Sequence, residues 1–167
     1  MIHKYSLADY QLTIGIPQSV AQKLSLRDEQ GNLLTSFSIG GPGENGEGSF
    51  LGQIVASRTT NLWETEGDAT GSWVHNKNLS RIGTIELQIR QIADEIIELA
   101  QLCDIYASIQ ENVEGLTLTI NSSASDESTP MVTGVDCYIQ KQADLTLAET
   151  AGLLSWTFTC GQVMFYQ

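Results

Sequence analysis

"SRIGTIELQIR", residues 80–90, alternates without interruption: Ile85, Leu87 and Ile89 fall on one side of an extended chain, and Glu86, Gln88 and Arg90 on the other. A period of two with apolar residues on one side is the mark of a strand that buries one face. Outward from it, "IADEIIELAQLCDIYAS" (92–108) changes period. There Ile92, Ile96, Leu99, Cys103 and Tyr106 recur at spacings of four, three, four and three, with Asp94, Glu95, Glu98 and Gln101 on the other side. That spacing predicts one amphipathic helix over about 92–106, with early acids that suit a helix N-terminus.

The rest of the chain returns to the period of two. "YQLTIGIP" (10–17) alternates until Pro17, which ends a strand or marks an edge. "NLLTSFSIGG" (32–41), "FLGQIVASRTT" (50–60), "GLTLTIN" (115–121), "MVTGVDCYIQKQADLTL" (131–147) and "LLSWTFTCGQVMFYQ" (153–167) read as further strands. "GGPGENGEGS" (40–49) is loop punctuation. "WETEGDATGSW" (63–73) sets acidic and turn residues between two tryptophans, as a long hairpin tip or projecting loop does. "SSASDESTP" (122–130) is a polar loop. The sum is a mainly β chain, a β-sandwich or small barrel with one flanking helix. Its 167 residues suit a single domain over 1–167, with no internal repeat and no linker.

Eight Lys and Arg face twenty Asp and Glu, for a net charge of −12 and a pI near 4.3. Such a surface repels phosphate backbones and anionic membranes. It serves solubility, or a surface that DNA must pass without sticking, and composition does not separate the two. No run approaches the roughly 20 apolar residues of a membrane span. The start, "MIHKYSLADYQLTIG", has no signal-peptide pattern, so synthesis in the cytoplasm is expected.

Chemistry is hard to find in these residues. Cys103, Cys137 and Cys160 form no CxxC pair, and His3 and His75 have no ligand spacing, so no metal is expected and each thiol is expected buried and reduced. Asp94, Glu95 and Glu98 are the wet side of a helix. His75 has no nucleophile motif beside it. "GGPGENGEG" lacks the Lys-Ser/Thr of a phosphate loop, and "SDES" (125–128) lacks the spacing of a calcium loop. Trp63 and Trp73 beside turns suit a partner or a core edge. No enzyme and no cofactor is expected.

The order of strand 83–90, helix, strand, then "CYIQKQADLTLAETAGLLSWTFTCG" (137–161) resembles the tail tube subunits of contractile-tailed phages, and is similar to the tube protein of type VI secretion. The phrase that carries it has the form xIxKxxDLxxAxxAGxxxWTFxxG. The resemblance covers the C-terminal half, with a second stretch at "YSLADYQLTIG". It implies a β-sandwich or small barrel flanked by a helix, and a virion tail component. It further implies hexameric rings stacked into a tube that DNA passes through without specific binding, with a surrounding sheath and baseplate as partners. On that reading Glu86, Gln88 and Arg90 face the channel or a neighbour. Loops 40–49 and 63–76, with Trp63 and Trp73, make ring-to-ring contacts. The alternatives are a tube-initiating baseplate protein, a tail terminator, or a carbohydrate-binding β-sandwich with the two tryptophans as its platform.

Overall fold

The computed structural model describes residues 5–24, 27, 30–41, 51–91, 95–108, 113–122 and 130–166. Nine strands and two α-helices follow a short 3-10 turn at Leu7–Asp9 among these residues. In chain order they are β1 (Tyr10–Gly15), α1 (Gln18–Leu24), β2 (Ser36–Gly40), β3 (Leu51–Arg58), β4 (Trp63–Gly67) and β5 (Trp73–Lys77). Then come β6 (Gly83–Arg90), α2 (Glu95–Ser108), β7 (Leu116–Ser122), β8 (Val132–Ile139) and β9 (Leu153–Phe165). Seven strands form one antiparallel sheet in the order β2-β1-β7-β8-β9-β6-β3, and β4 with β5 forms a separate hairpin.

Alternation explains which face is buried. Leu12 and Ile14 of β1, Ile85, Leu87 and Ile89 of β6, Leu116 and Leu118 of β7, and Trp156 and Phe158 of β9 are all fully buried in one cluster. Strands from both halves of the sheet share that cluster, so the sheet curls around its own apolar face. Its two edges approach at one end. A Cβ on Gly40, which ends β2 at φ +87°, would lie 3.0 Å from the Leu51 side chain that begins β3. No ladder joins β2 to β3 among the described residues, so the sheet is single and stops short of a closed barrel. The mainly β architecture with a flanking helix is the one its sequence pattern predicts.

Two strands change face partway. In β8, Gly134 is inward, Val135 and Asp136 are outward, and Cys137 is inward again; in β9, Cys160 is inward, Gly161 and Gln162 outward, and Val163 inward. Against β7 the step in β8 is a bulge, since Leu118 faces Gly134 while Leu116 faces Cys137. Asp136 takes up the extra residue at φ +55°, a region that Asp enters more readily than most side chains. The β8–β9 ladder stays in register through both steps, with Val135 opposite Gln162 and Cys137 opposite Cys160.

Three readings from the sequence are corrected. Strand β8 stops at Ile139, and residues 140–152 run without a strand. Leu145 and Leu147, which alternation assigns to sheet, are 65% and 78% exposed, with no partner strand to bury against. Pro17 ends β1 but also starts a helix: its carbonyl accepts from the backbone N–H of Val20 and Ala21 at 3.0 and 2.9 Å. The resulting α1 buries Val20 and Ala21 and packs beside α2. The buried side of α2 is wider than its spacing predicts. Leu99 is buried, and Ile96, Cys103 and Tyr106 are half-buried, but Leu102 is fully buried too. Gln101, expected on the wet side, is half-buried, its Oε1 without a partner in the protein. Ile92 and Asp94 lie outside the described residues, as do the side chains of Glu95 and Glu98.

Candidate assembly surfaces

Strands β3 and β6 pair from Leu51–Ile89 to Arg58–Gly83, and β6 pairs with β9 on its other side. The inward residues of β6 therefore leave a second face, whose composition follows from register. Glu86 lies between Val55 and Thr157, Gln88 between Gln53 and Ser155, and Arg90 beside Leu153. Thr84 and Ser57 share a hydrogen bond of 3.3 Å on the same face. Hydroxyls and amides dominate, with Glu86 and Arg90 as the charges of the central strand. Glu86 and Gln88 are half-buried by their flanking strands and Arg90 is exposed. The three residues singled out in sequence thus share one solvent-facing sheet surface.

Beyond Arg58–Gly83 the same two chain segments continue outward. Thr59 N–H donates to the Ile82 carbonyl at 3.0 Å, and Asn78 N–H to the Leu62 carbonyl at 2.8 Å. These bonds lead into β4 and β5, in which all ten residues are exposed. The stretch read as a hairpin tip is one. Its register, Trp63–Lys77, Thr65–His75 and Gly67–Trp73, places both tryptophans on the same face at opposite ends. Between them Thr65 Oγ1 and His75 Nδ1 meet at 2.8 Å, and Lys77 Nζ stands 5.7 Å from the centre of the Trp63 ring, within cation–π range. The opposite face carries Glu64, Glu66, Val74 and Asn76.

The turn that closes the tip is built around one carboxylate. Asp68 accepts from Thr70 Oγ1 at 2.6 Å, Thr70 N–H at 2.9 Å and Ser72 N–H at 3.0 Å. The Thr70 side chain, then the backbone donors, hold its pKa below the usual carboxylate value. Gly71 sits at φ +87°, where a side chain is strained. Trp63 is 54% and Trp73 70% exposed, so neither is a core edge in the isolated chain. Of loop 40–49, the other expected contact, residues 42–49 lie outside the described residues, as does "SDES" (125–128).

A hollow of about 690 Å³ lies between the end of α2 and the end of β8, lined in part by Cys103, Asp104, Tyr106 and Tyr138. Burial, and then Asp104, push the Cys103 thiol up to about 11, which keeps it protonated and unreactive at neutral pH. The two tyrosines meet edge to face at 5.4 Å, and their hydroxyls donate to the Glu114 and Val113 carbonyls. They are tied to structure. Among the described residues no group of three His, Cys, Asp or Glu could hold a metal, and no helix is long and apolar enough to cross a membrane.

Two solved structures share this fold. The sheath/tube terminator of the PVC extracellular contractile injection system, in its extended state, aligns with a TM-score of 0.51 at 12% identity, over 98% of this chain and 97% of that one. A chain of the PVC sheath-tube complex in the extended state aligns with a TM-score of 0.52 at 14% identity, over 97% of this chain and 90% of that one. No curated protein sequence matches. The sequence model of the bacteriophage PhiTE tail tube protein matches residues 34–166. That span takes in the phrase at 137–161 and reaches back beyond the C-terminal half to residue 34, and it omits "YSLADYQLTIG". The chain belongs to the bacteriophage PhiTE tail tube protein family, and it is a structural component of a virion tail rather than an enzyme.

Proposed function

We propose that residues 1–167 act as one tube-like domain that assembles into hexameric rings, stacked as a hollow tube through which DNA leaves the virion. The observation that carries this reading is the β3–β6 arm. Its body offers a polar sheet face, and its tip is bare on both sides. A two-stranded hairpin is marginal in water by itself, so the tip has most to gain from a neighbouring subunit. Trp63 and Trp73 serve there as the anchors between rings. The open edges β2 and β3 are an aggregation hazard in a monomer, and a ring covers them. Glu86, Gln88 and Arg90 face the channel or a neighbour; a face chiefly of hydroxyls and amides, with Val55 and Leu153 exposed among them and one charge of each sign on β6, neither grips nor strongly repels a polyanion.

A sheath around the tube and a baseplate below it are the proposed partners, in keeping with the shared fold of a sheath-tube complex. A second reading, a terminator that forms one ring and stops, is supported by the likeness to the PVC terminator over nearly the full length of both chains. Negative-stain microscopy of the purified protein tests both, together with sedimentation across a concentration series. Stacked rings support the tube and isolated rings the terminator. A stable monomer at high concentration rejects both.

A further inference from the structure

Cys137 and Cys160 are 23 positions apart in sequence, yet their sulfurs lie 2.8 Å from one another. They sit directly opposite on β8 and β9, and both side chains are buried. The face changes described above bring this about, because each strand turns its cysteine inward beside its outward pair. Gly134 leaves the room. A Cβ there would meet Cys137 Sγ at 3.0 Å and Cys160 Sγ at 3.2 Å.

Ladder geometry suits a covalent link. Gln140 N–H donates to the Thr157 carbonyl at 2.8 Å, one rung beyond the Ile139–Phe158 pair. Residues 140 and 157 are thus a hydrogen-bonded pair, and counting rungs makes Cys137–Cys160 a non-hydrogen-bonded one. Such pairs hold their Cα atoms about 4.5 Å apart, within the range that a disulfide spans.

We propose that Cys137 and Cys160 are an oxidisable pair that closes into a cross-strand disulfide, stapling β8 to β9. A small peroxide is the oxidant that such a buried site admits. Cys160 sulfur attacks one peroxide oxygen, breaking the O–O bond and giving a sulfenic acid and one water. Cys137 sulfur then attacks that sulfenic sulfur, the S–S bond forms, and the oxygen leaves as a second water. Two thiols and one hydrogen peroxide become one disulfide and two waters. Cys160 is the attacking sulfur because Cys137 donates its S–H toward it. That bond lowers the Cys160 pKa and, with burial, raises that of Cys137. Cys103 stands apart as a single protonated thiol.

Intact protein treated with dilute hydrogen peroxide, then denatured and titrated for thiols, tests the proposal. The chain has three cysteines. One thiol should remain, the mass should fall by two hydrogens, and a peptide linking Cys137 to Cys160 should appear after digestion. The oxidised protein should melt roughly 5–10 °C above the reduced one, as expected for a crosslink closing a loop of this length in a domain of this size. C137S and C160S should abolish both the link and the shift, whereas C103S should keep them. Three titratable thiols after treatment would overturn the proposal. So would oxygen added to Cys160 with no link, or a link made between chains through Cys103. The wild-type mass alone decides this if a serine variant fails to fold.

Discussion

β6 in the sheet and the β4–β5 tip belong to one antiparallel arm, and backbone pairing of the same kind holds each, though in separate ladders. They differ in what the side chains do. In the body, Ile85, Leu87 and Ile89 are fully buried against the rest of the core, whereas at the tip all ten strand residues are exposed. Hydrogen bonds exchanged with water contribute little net stability, and burial supplies the rest. The body therefore folds by itself, and the tip is a shape waiting for a surface. Substitutions in the two regions should separate folding from assembly.

The largest effect belongs to the body. Trp156 is fully buried on β9, opposite Leu87. Trp156→Ala should cost about 3–5 kcal/mol, read as a lower denaturant midpoint or loss of soluble protein. Leu99→Asp on α2 should cost several kcal/mol as well, since it places a charge in the core. Asp104→Lys, one turn further on an exposed position, should change stability by no more than about 0.5 kcal/mol. Equal behaviour of the two α2 variants would show the helix facing the wrong way.

At the tip the order reverses. Trp63→Ala and Trp73→Ala should leave the melting temperature of unassembled protein within a degree or two, because neither ring is packed inside the chain. Both should shorten or abolish stacked assemblies in micrographs, as loss of an interface aromatic commonly does. A drop in monomer stability with intact tubes would reverse the comparison.

Smaller still is the turn. Gly71→Ala puts a side chain at φ +87° and should cost about 1 kcal/mol locally, seen as faster amide exchange at Thr70 and Ser72 with the core unchanged. The Asp68 carboxylate has its pKa lowered on folding. Its contribution is thus complete above the unfolded value of 3.8 and is lost as pH falls through the folded value. Exchange at Ser72, whose N–H donates to that carboxylate, should quicken only below pH 3.8; quickening at pH 5 to 6 would show that another group holds the turn.

The contrast between regions also sets what could be read from sequence. β6 and most of α2 were legible because burial imposes a period, and α2 ends at Ser108, two residues past the expected end. α1 was not, since the seven residues of "QSVAQKL" are too few to show a helical period. The burial of Cys137 was expected of a free thiol, but its meeting with Cys160 was hidden, because the double outward step at 135–136 breaks alternation and the two strands pair 23 positions apart. Leu145 and Leu147 misled for the opposite reason: they alternate, but no strand lies beside them. Alternation groups Glu86, Gln88 and Arg90 on one sheet face, whereas the shared hairpin face of Trp63 and Trp73 comes from the pairing register. What covers those faces is a property of the assembly.

The smallest expected effect is none at all. At moderate salt the isolated protein should not shift duplex DNA in a gel titration. DNA affinity comes mainly from Lys and Arg that displace counterions, and here acids outnumber bases twenty to eight. The bases on described residues also lie in several separate places, with only Arg58 and Arg81 meeting, at Val163. Arg90 lies on the sheet face, Lys77 at the tip over Trp63, and Lys141 is 3.7 Å from Asp144. Arg58 donates to the Val163 carbonyl at 3.0 Å. A conduit benefits from this dispersion, because a favourable contact repeated ring after ring would add up to friction along the strand. Body and tip should behave alike in this one assay, with Arg90→Glu and Trp73→Ala as silent as the parent. A salt-sensitive shift abolished by Arg90→Glu would make the sheet face a DNA-binding surface, and the proposed passage through the tube would have to be abandoned.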